Sequence, residues 1–235
     1  MKRNLYFHLY PVRGSFWAWH LDQLRAYWRA FNGRKLVVVA VDARTVSAAA
    51  VRRRLEGLDV ELIVAANDRR RGETAGFVDR LETFSSDSPD EMTFYAHGKG
   101  VTYRGLESLI MQSWSEAMYH MNLSRPPLIE TLMEDYSAAG CFQQQMRHGG
   151  SRWHYSGTFF WFKHSAVFKR RWRRVHDGKY GVEGWLGKHL PLEEAFCLTP
   201  FRHFTQLYSH VITRAECRRW LRALAREPQP AEAAR

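Results

Sequence analysis

The sequence predicts an α/β domain in which helices flank a mainly parallel β-sheet. Short runs rich in β-branched residues alternate with amphipathic helical segments through the first half of the chain. Such alternation is typical of consecutive β-α-β units. The length of 235 residues and the apolar fraction of 45% suit a single domain with a full hydrophobic core.

The first half supplies most of this pattern. Strands are predicted at 4–10, 36–41, 60–65 and 92–96, and helices at 16–31, 48–55 and 73–84. The run 36–41 is continuously apolar, which is typical of a strand buried on both faces, and 60–65 is predicted to be the next buried strand. Ligands of parallel sheets bind beyond the carboxyl ends of the strands. The residues just after each strand are therefore the first candidates for a site.

The second half is organised differently. Helices are predicted at about 106–117 and after Pro126-Pro127, and strands at 136–142 and 158–162, with a polar loop at 143–151 between them. A final helix begins after Thr213, which forms a capping-box pattern with Glu216. Its apolar stripe lies opposite a row of arginines.

Composition favours an anionic partner. The chain has 35 Lys and Arg against 24 Asp and Glu, a net charge of +11, and nine Trp among abundant aromatic residues. Nucleic acid, a phosphorylated small molecule and an anionic membrane surface all fit this excess. The three cysteines form no CxxC pair, which favours a reduced cytoplasmic setting. No apolar run reaches the ~18–20 residues of a membrane span.

The sharpest local pattern is His97-Gly98-Lys99-Gly100, directly after the fourth predicted strand. Two glycines let the backbone approach a ligand closely while the lysine meets an anion. The spacing differs from that of a P-loop, and a tight turn is the structural alternative. The position at the carboxyl edge of the sheet favours a binding role.

Three other segments offer polar groups. Three arginines at 69–71 precede a predicted helix N-terminus and could bind an anion there, or form a solvated loop. The run 153–158 brings an imidazole and hydroxyls to a strand entrance, which suits a polyhydroxylated ligand. Glu183 lies beside Trp185 in a Gly-rich loop and could accept a proton from a hydroxyl. A solvated loop acid is the simpler alternative for Glu183.

In their order and spacing, these motifs resemble a bacterial group of GT-A-type glycosyltransferases related to rhamnan-synthesis-like transferases. The resemblance covers roughly residues 4–200. The matching residues are Asn67, Arg71-Gly72-Glu73-Thr74, His97-Gly98-Lys99-Gly100, Trp114, Gly140, His154-Tyr155-Ser156-Gly157-Thr158-Phe159-Phe160-Trp161 and Glu183-Gly184-Trp185.

The resemblance implies one GT-A-like domain at 1–227 with a flexible tail at 228–235. The domain would comprise a nucleotide-sugar half at about 1–104, an acceptor half at about 105–212 and a basic helix at 213–227. It would transfer a sugar from a nucleotide-sugar donor to a hydroxyl of a glycan or lipid-linked acceptor, as in polysaccharide biosynthesis. The expected donor-binding residues are Pro11, Asp42, Asn67, Asp68, Arg71, Glu73 and Lys99. The expected acceptor-binding residues are His154, Tyr155, Ser156, Gly157 and Trp185.

Glu183, Lys99 and His97 are the expected catalytic residues. Glu183 stands where many GT-A enzymes place the acid that deprotonates the acceptor, which gives inversion at the anomeric carbon. Lys99, with an arginine of 69–71, would neutralise the diphosphate leaving group directly.

The resemblance departs from the family pattern at the metal site. GT-A enzymes usually bind Mn²⁺ or Mg²⁺ through Asp-x-Asp at the end of the fourth strand, where this chain has His97-Gly98-Lys99. Hard cations prefer carboxylate oxygens, so the sequence argues against dependence on either metal. A C-terminal histidine often contacts the metal or diphosphate in such enzymes, and His203 and His210 are equal candidates. His148 and His154 match no known ligand spacing.

Two other functions stay open at this stage. A catalytically silent binding module of the same fold is one, because Asp-x-Asp is missing and fold does not imply activity. A nucleic-acid-binding protein is the other, although no RNP-like, KH-like or helix-turn-helix pattern is present, so no nucleic acid is expected. We expect a cytoplasmic protein. The basic segment 169–174 around Trp172, with the C-terminal helix and its Trp220, would contact the anionic inner surface of the membrane.

Overall fold

The computed structural model describes residues 1–200 and 211–226. In these ranges the chain forms a seven-stranded, mostly parallel sheet flanked by helices. The strand order is β3-β2-β1-β4-β8-β5-β9, with β6 and β7 paired separately. The predicted class, an α/β domain with a mainly parallel sheet flanked by helices, is confirmed.

The nine strands are β1 (Lys2–Leu9), β2 (Lys35–Val41), β3 (Glu61–Ala66), β4 (Glu91–His97), β5 (Ala138–Gly140), β6 (Gln143–Gln144), β7 (His154–Tyr155), β8 (Phe160–Lys163) and β9 (Ala195–Cys197). The α-helices of the described residues are α1 (Trp17–Ala26), α2 (Ala48–Arg54), α3 (Phe77–Glu82), α4 (Gly105–Leu123), α5 (Pro126–Asp135), α6 (His164–Val167), α7 (Trp185–His189) and α8 (Arg214–Leu224). Short 3₁₀ turns lie at Trp28–Ala30, Gly72–Thr74 and Leu192–Glu194.

The sheet divides the core into two layers. Alternate side chains of β1 point to opposite faces, so that Leu5 and Phe7 join one cluster and Tyr6 joins the other. The parallel register pairs His8 of β1 with His97 of β4, which brings the carboxyl ends of both strands to the same edge. β8 returns antiparallel to β4 and carries the second half of the chain back across that edge.

Two predicted elements differ from the structure. The helix expected at 73–84 is broken, because Ala75 is extended and Gly76 adopts φ +66° before α3 begins at Phe77. The arginines at 69–71 therefore precede a single 3₁₀ turn and have no long helix dipole behind them. β3 is the edge strand of the sheet and only half-buried, with Val64 44% exposed. The sequence had predicted a buried strand at this position.

The final helix, by contrast, forms as predicted. Thr213 caps α8, and the reciprocal capping box with Glu216 is present. The apolar side chains Cys217, Trp220 and Leu221 are buried against the domain, and the Arg214 guanidinium pairs with Glu116 of α4. This stripe therefore has no free apolar face to offer a membrane.

The basic segment at 169–174 also has its aromatic ring turned inward. Trp172 is 1% exposed, and its backbone carbonyl accepts a hydrogen bond from Trp185 Nε1 (2.7 Å). The expected membrane contact through Trp172 and Trp220 therefore lacks its apolar part. Among the described residues, no helix is both long and apolar enough to cross a bilayer.

The second core layer is an aromatic cluster centred on Trp185. Its ring lies 5.2 Å from that of Phe77 and 5.3 Å from that of Phe162, both edge-to-face, and it is fully buried. Edge-to-face pairs add stability beyond the area they bury. Trp185 thus joins α7 to α3 and β8, and its faces are occupied by protein.

We predict that Trp185→Ala destabilises the protein by about 3–5 kcal/mol, the range typical of truncating a buried Trp. Urea unfolding followed by circular dichroism measures the loss. Leu106→Ala, at a side chain that is 71% exposed, is the matched control and should change stability by less than about 0.5 kcal/mol. Unchanged stability in Trp185→Ala would contradict a packing role.

Candidate functional site

A cavity of about 190 Å³ opens at the carboxyl edge of β1 and β4. Strand ends form its floor, and the loop before α7 closes one side. Residues from both halves of the chain line it, among them His8, Tyr10, Asn67, Glu73, His97, Lys99, Thr158, Lys179, Tyr180 and Glu183. The structure thus brings together the three expected catalytic residues, Glu183, Lys99 and His97.

The Lys99 loop is held rigidly by its glycines and by a buried histidine. Gly100 has φ +84°, and a Cβ there would lie 2.6 Å from Cβ of Met111, so a larger residue does not fit. The carbonyl oxygen of Lys99 accepts a hydrogen bond from His20 Nε2 (2.9 Å), whose Nδ1 faces Tyr119 Oη (3.0 Å). These contacts fix the backbone from which the lysine side chain extends.

Lys99 supplies positive charge to the cavity. It forms no direct ion pair with any carboxylate of the described residues. Its charge nevertheless favours the ionised forms of both Glu183 and Glu73, although burial outweighs this effect at Glu73. An ammonium without a direct counterion at the edge of a sheet is suited to an anionic ligand.

Glu183 is a buried carboxylate that the structure keeps ionised. The Gly157 amide donates to Oε1 (2.8 Å), and His148 Nε2 donates to Oε2 (2.7 Å). Burial alone would raise the pKa of this carboxyl, but these two donors and the charge of Lys99 outweigh it and lower the pKa to about 2. Gly157 presents its amide from a backbone with φ +90°.

Glu73 has the opposite ionisation behaviour, although it lines the same cavity. Burial raises its pKa to about 8, against a smaller opposing effect of the hydrogen bond from Tyr95 Oη to Oε2 (2.9 Å). His97 Nε2 lies 3.1 Å from the Gly157 carbonyl, which can only accept, so Nε2 carries the ring proton. His97 Nδ1 then faces Glu73 Oε2 at 3.2 Å as a lone pair. With the proton on Glu73 and His97 neutral, the hydrogen-bonding groups of Glu73, His97 and the Gly157 carbonyl all have partners.

Asp42 links the residues that follow β1, β2 and β3. Its Oδ2 accepts from Tyr10 Oη (2.7 Å) and Asn67 Nδ2 (3.0 Å), and its Oδ1 accepts from the Arg44 amide (2.8 Å). Burial opposes ionisation, but these hydrogen bonds prevail and lower its pKa to about 2. Asp42 therefore shapes the rim of the cavity as a fixed anion.

The other expected donor-binding residues have mainly structural contacts. Arg71 Nε pairs with Asp177 Oδ1 (2.8 Å), and Arg70 pairs with the same carboxylate. Asp68 accepts hydrogen bonds from the backbone amides of both arginines (2.9 Å each). Pro11 is buried beyond β1, where its carbonyl accepts from the Val46 amide (3.0 Å).

The expected acceptor-binding run lies under the cavity and not on its surface. His154, Tyr155 and Ser156 are each at most 2% exposed. The Tyr155 hydroxyl donates to the Phe196 carbonyl (2.8 Å), and Ser156 Oγ lies 3.2 Å from His154 Nε2. Of this set, Gly157 reaches the site, through its amide. Trp185, fully buried, has no face for a sugar ring, and the candidates His203 and His210 lie outside the described residues.

Several lining residues were not expected from the sequence. His8 lies near the end of β1 and Tyr10 directly after it, and Lys179 and Tyr180 belong to the loop before α7. Thr158, which belongs to the motif matched in the sequence, also lines the cavity. The position of His8 and Tyr10 at a strand end was a usable signal. The loop residues 179 and 180 carry no local pattern, because only tertiary packing brings them to the sheet edge.

The residues at the end of β4 do not fit the hard cation that is usual in GT-A enzymes. Where such a cation has two carboxylate ligands, this chain has the imidazole of His97 and the ammonium of Lys99. Of the acids that line the cavity, Glu73 favours its neutral form and Glu183 is already matched by donors and by Lys99. An oxygen-rich Mn²⁺ or Mg²⁺ site is therefore not built there.

No protein-family model matches the sequence, and no curated protein matches it significantly. A crystal structure of 4-diphosphocytidyl-2C-methyl-D-erythritol synthase aligns with 96% of this chain and 99% of that chain, at 13% identity and a TM-score of 0.42. That similarity is too low to indicate a shared activity. Function must therefore be argued from the site.

The raised pKa of Glu73 predicts a specific pH dependence of stability. The folded protein holds this proton up to about pH 8, whereas the ordinary value is 4.5. Glu73 therefore stabilises the fold fully below pH 4.5, and this contribution is lost as the pH rises through 8. Glu73→Gln keeps an acceptor for Tyr95 and offers a donor to His97, so it mimics the protonated acid.

We expect Glu73→Gln to gain stability relative to the wild type as the pH rises from 5 to 8, by at most about 1.4 kcal/mol per pH unit. Denaturant melts of both proteins at several pH values measure this difference. The exposed, paired Glu82, replaced by Gln in a control, should show no such trend. Parallel curves for the wild type and Glu73→Gln would contradict a buried neutral Glu73.

Proposed function

We propose that this chain is a glycosyltransferase that moves a sugar from a nucleotide-sugar donor to a hydroxyl of a glycan or lipid-linked acceptor. The observation that carries the proposal is the pairing of Lys99 with Glu183 in one cavity. Lys99 is an ammonium without a direct counterion among the described residues, and Glu183 is a carboxylate held ionised by two donors. Sugar transfer needs both a cation for the leaving group and an acceptor for a proton.

The proposed role of Lys99 is to bind the donor diphosphate. When the anomeric C–O bond breaks, its electron pair stays on the diphosphate, which gains negative charge. A fixed cation beside that oxygen stabilises the transition state more than the ground state. The rigid loop around Gly98 and Gly100 supports this role, because a preorganised charge needs no rearrangement during the reaction.

The proposed role of Glu183 is to receive the acceptor proton. As the acceptor oxygen bonds to the anomeric carbon, its hydroxyl proton becomes strongly acidic, so even a carboxylate of low pKa can take it. Each carboxylate oxygen accepts one hydrogen bond in the structure, which leaves further lone pairs for a substrate. A base that acts on an attacking hydroxyl implies inversion at the anomeric carbon.

The size of the cavity supports a donor that lies only partly inside it. A volume of about 190 Å³ is below the 300–1,000 Å³ that is typical of pockets for whole drug-sized ligands. The sugar and the phosphates fit this space better than a complete nucleotide sugar does. The nucleoside would then lie on the rim near Tyr10, Asp42 and Asn67, where hydroxyl, carboxylate and amide groups are clustered.

The first test concerns the donor. We expect Lys99→Ala to reduce transfer by about 100- to 1,000-fold, the loss typical of removing one electrostatic donor, with an unchanged unfolding midpoint. Thermal stabilisation by UDP-, GDP- and TDP-sugars, with and without Mn²⁺, identifies the donor and shows whether a metal is needed. Lys188→Ala, at an exposed lysine outside the cavity, is the matched control. Near-wild-type turnover of Lys99→Ala would exclude the proposed role.

The second test concerns the base. Glu183→Gln keeps the size of the side chain and removes its charge, so we expect kcat to fall while the apparent affinity for the donor changes little. NMR of the product gives its anomeric configuration. Retention of configuration would count against Glu183 as the base. Normal transfer by Glu183→Gln would also count against that role.

A further inference from the structure

A second feature of the site is a cluster of nitrogen and oxygen ligands that includes Glu183. His148, His154 and Glu183 each offer one ligand atom, and these atoms lie within 4.8 Å of one another. His148 belongs to the loop after β6, His154 to β7, and Glu183 to the loop before α7. Residues distant in sequence thus converge on one point.

The two imidazoles are held side by side. Their ring centroids lie 4.5 Å apart with an interplanar angle of 32°, and the ring of Tyr180 packs against His148 at 4.7 Å. Aromatic packing therefore limits how far either ring can turn. A ligand set that is already ordered loses less conformational entropy when an ion binds.

His154 is the member that protein contacts leave least satisfied. It is 2% exposed, yet its Nδ1 has no hydrogen bond of acceptable geometry within the described residues. The Met146 carbonyl acts to raise the pKa of His154, but it does not form a hydrogen bond of acceptable geometry with Nδ1. A buried polar atom without a partner is rare and requires a physical reason.

We propose that His148, His154 and Glu183 form a site for a divalent transition-metal ion of the Zn²⁺ type. Two imidazoles and one carboxylate are a common set of three protein ligands for Zn²⁺, with the fourth position open. Nitrogen ligands also select such ions over Mg²⁺ and Ca²⁺, which prefer oxygen. This site differs from the Asp-x-Asp position at the end of β4, and the proposal does not depend on glycosyl transfer.

The ion would replace the proton between His148 and Glu183. These two atoms lie 2.7 Å apart, and ligand atoms on a tetrahedral Zn²⁺ lie about 3.3–3.5 Å apart. Binding therefore needs this pair to open by less than about 1 Å, with the His148 proton moved to Nδ1, while the ligand atoms that are up to 4.8 Å apart move closer together. The fourth position would face the cavity or solvent.

The positive charge of Lys99 weakens binding of this ion, so the effect of removing that charge tests the site. The charge acts on both Glu183 and His154, so it must also repel a cation held by them. Removing that charge with Lys99→Met should strengthen Zn²⁺ binding several-fold. Adventitious binding at surface histidines would not respond to Lys99 in this way.

The test is calorimetric titration of the full-length wild-type protein with Zn²⁺, and separately with Mg²⁺, after treatment with a chelator. We expect one Zn²⁺ per chain and no Mg²⁺ binding at the same concentrations. His154→Ala and Glu183→Gln should weaken Zn²⁺ binding by at least about tenfold, the smallest loss typical even of outer-shell changes. His176→Ala, at an exposed histidine in the same region, is the control and should bind as the wild type does.

Absence of Zn²⁺ binding by the wild type would overturn the proposal. So would full binding by the two variants, or weaker binding by Lys99→Met. Co²⁺ absorption of the wild type reports the coordination geometry without any variant, and a spectrum without tetrahedral d–d bands would also count against the site. Because every readout is binding, failure of the transfer assays leaves this test intact.

Discussion

The carboxylate of Glu183 sets the strictest constraint on the second half of the molecule. A buried charge is costly unless donors and opposite charge match it. The match here comes from the Gly157 amide, the His148 ring and the charge of Lys99. These groups belong to three segments that are far apart in the sequence. Their convergence fixes the loop after β6, the turn before β8 and the end of β4 relative to one another.

The parallel pairing of β1 with β4 makes that convergence possible. It brings His8 and His97 to one edge, and the antiparallel return of β8 places Gly157 directly above them. Gly157 therefore contacts two residues of the site: its amide donates to Glu183, and its carbonyl accepts from His97, which in turn faces Glu73. A residue with a side chain would be strained at φ +90°, and its Cβ would also lie 2.8 Å from Sδ of Met118. The role of glycine here is therefore both conformational and steric.

The sequence predicted the sheet well, because burial and β-branched runs are local signals. It located His97-Gly98-Lys99-Gly100 and Glu183 for the same kind of reason, since both follow recognisable strand or glycine patterns. It was less informative where tertiary contacts decide the outcome. Trp185 looked available to a sugar, but it is fully buried, with Phe77 of α3 and Phe162 of β8 packed against it. Gly76 broke a helix that periodicity had extended to Glu73, and the break lets that acid turn inward to Tyr95.

Two acids in one cavity therefore have opposite protonation states for physical reasons that the sequence alone does not show. Glu73 receives one donor, Tyr95, and faces the lone pair of His97, so burial dominates and the proton stays. Glu183 receives two donors, the His148 ring and the Gly157 amide, and with the charge of Lys99 these outweigh burial, so the charge stays. With His97 neutral, Lys99 and Lys179 leave the lining of the cavity with one more positive than negative charge, because Glu183 alone opposes them. An anionic ligand would offset this excess, which is electrostatic support for the proposal that a diphosphate binds beside Lys99.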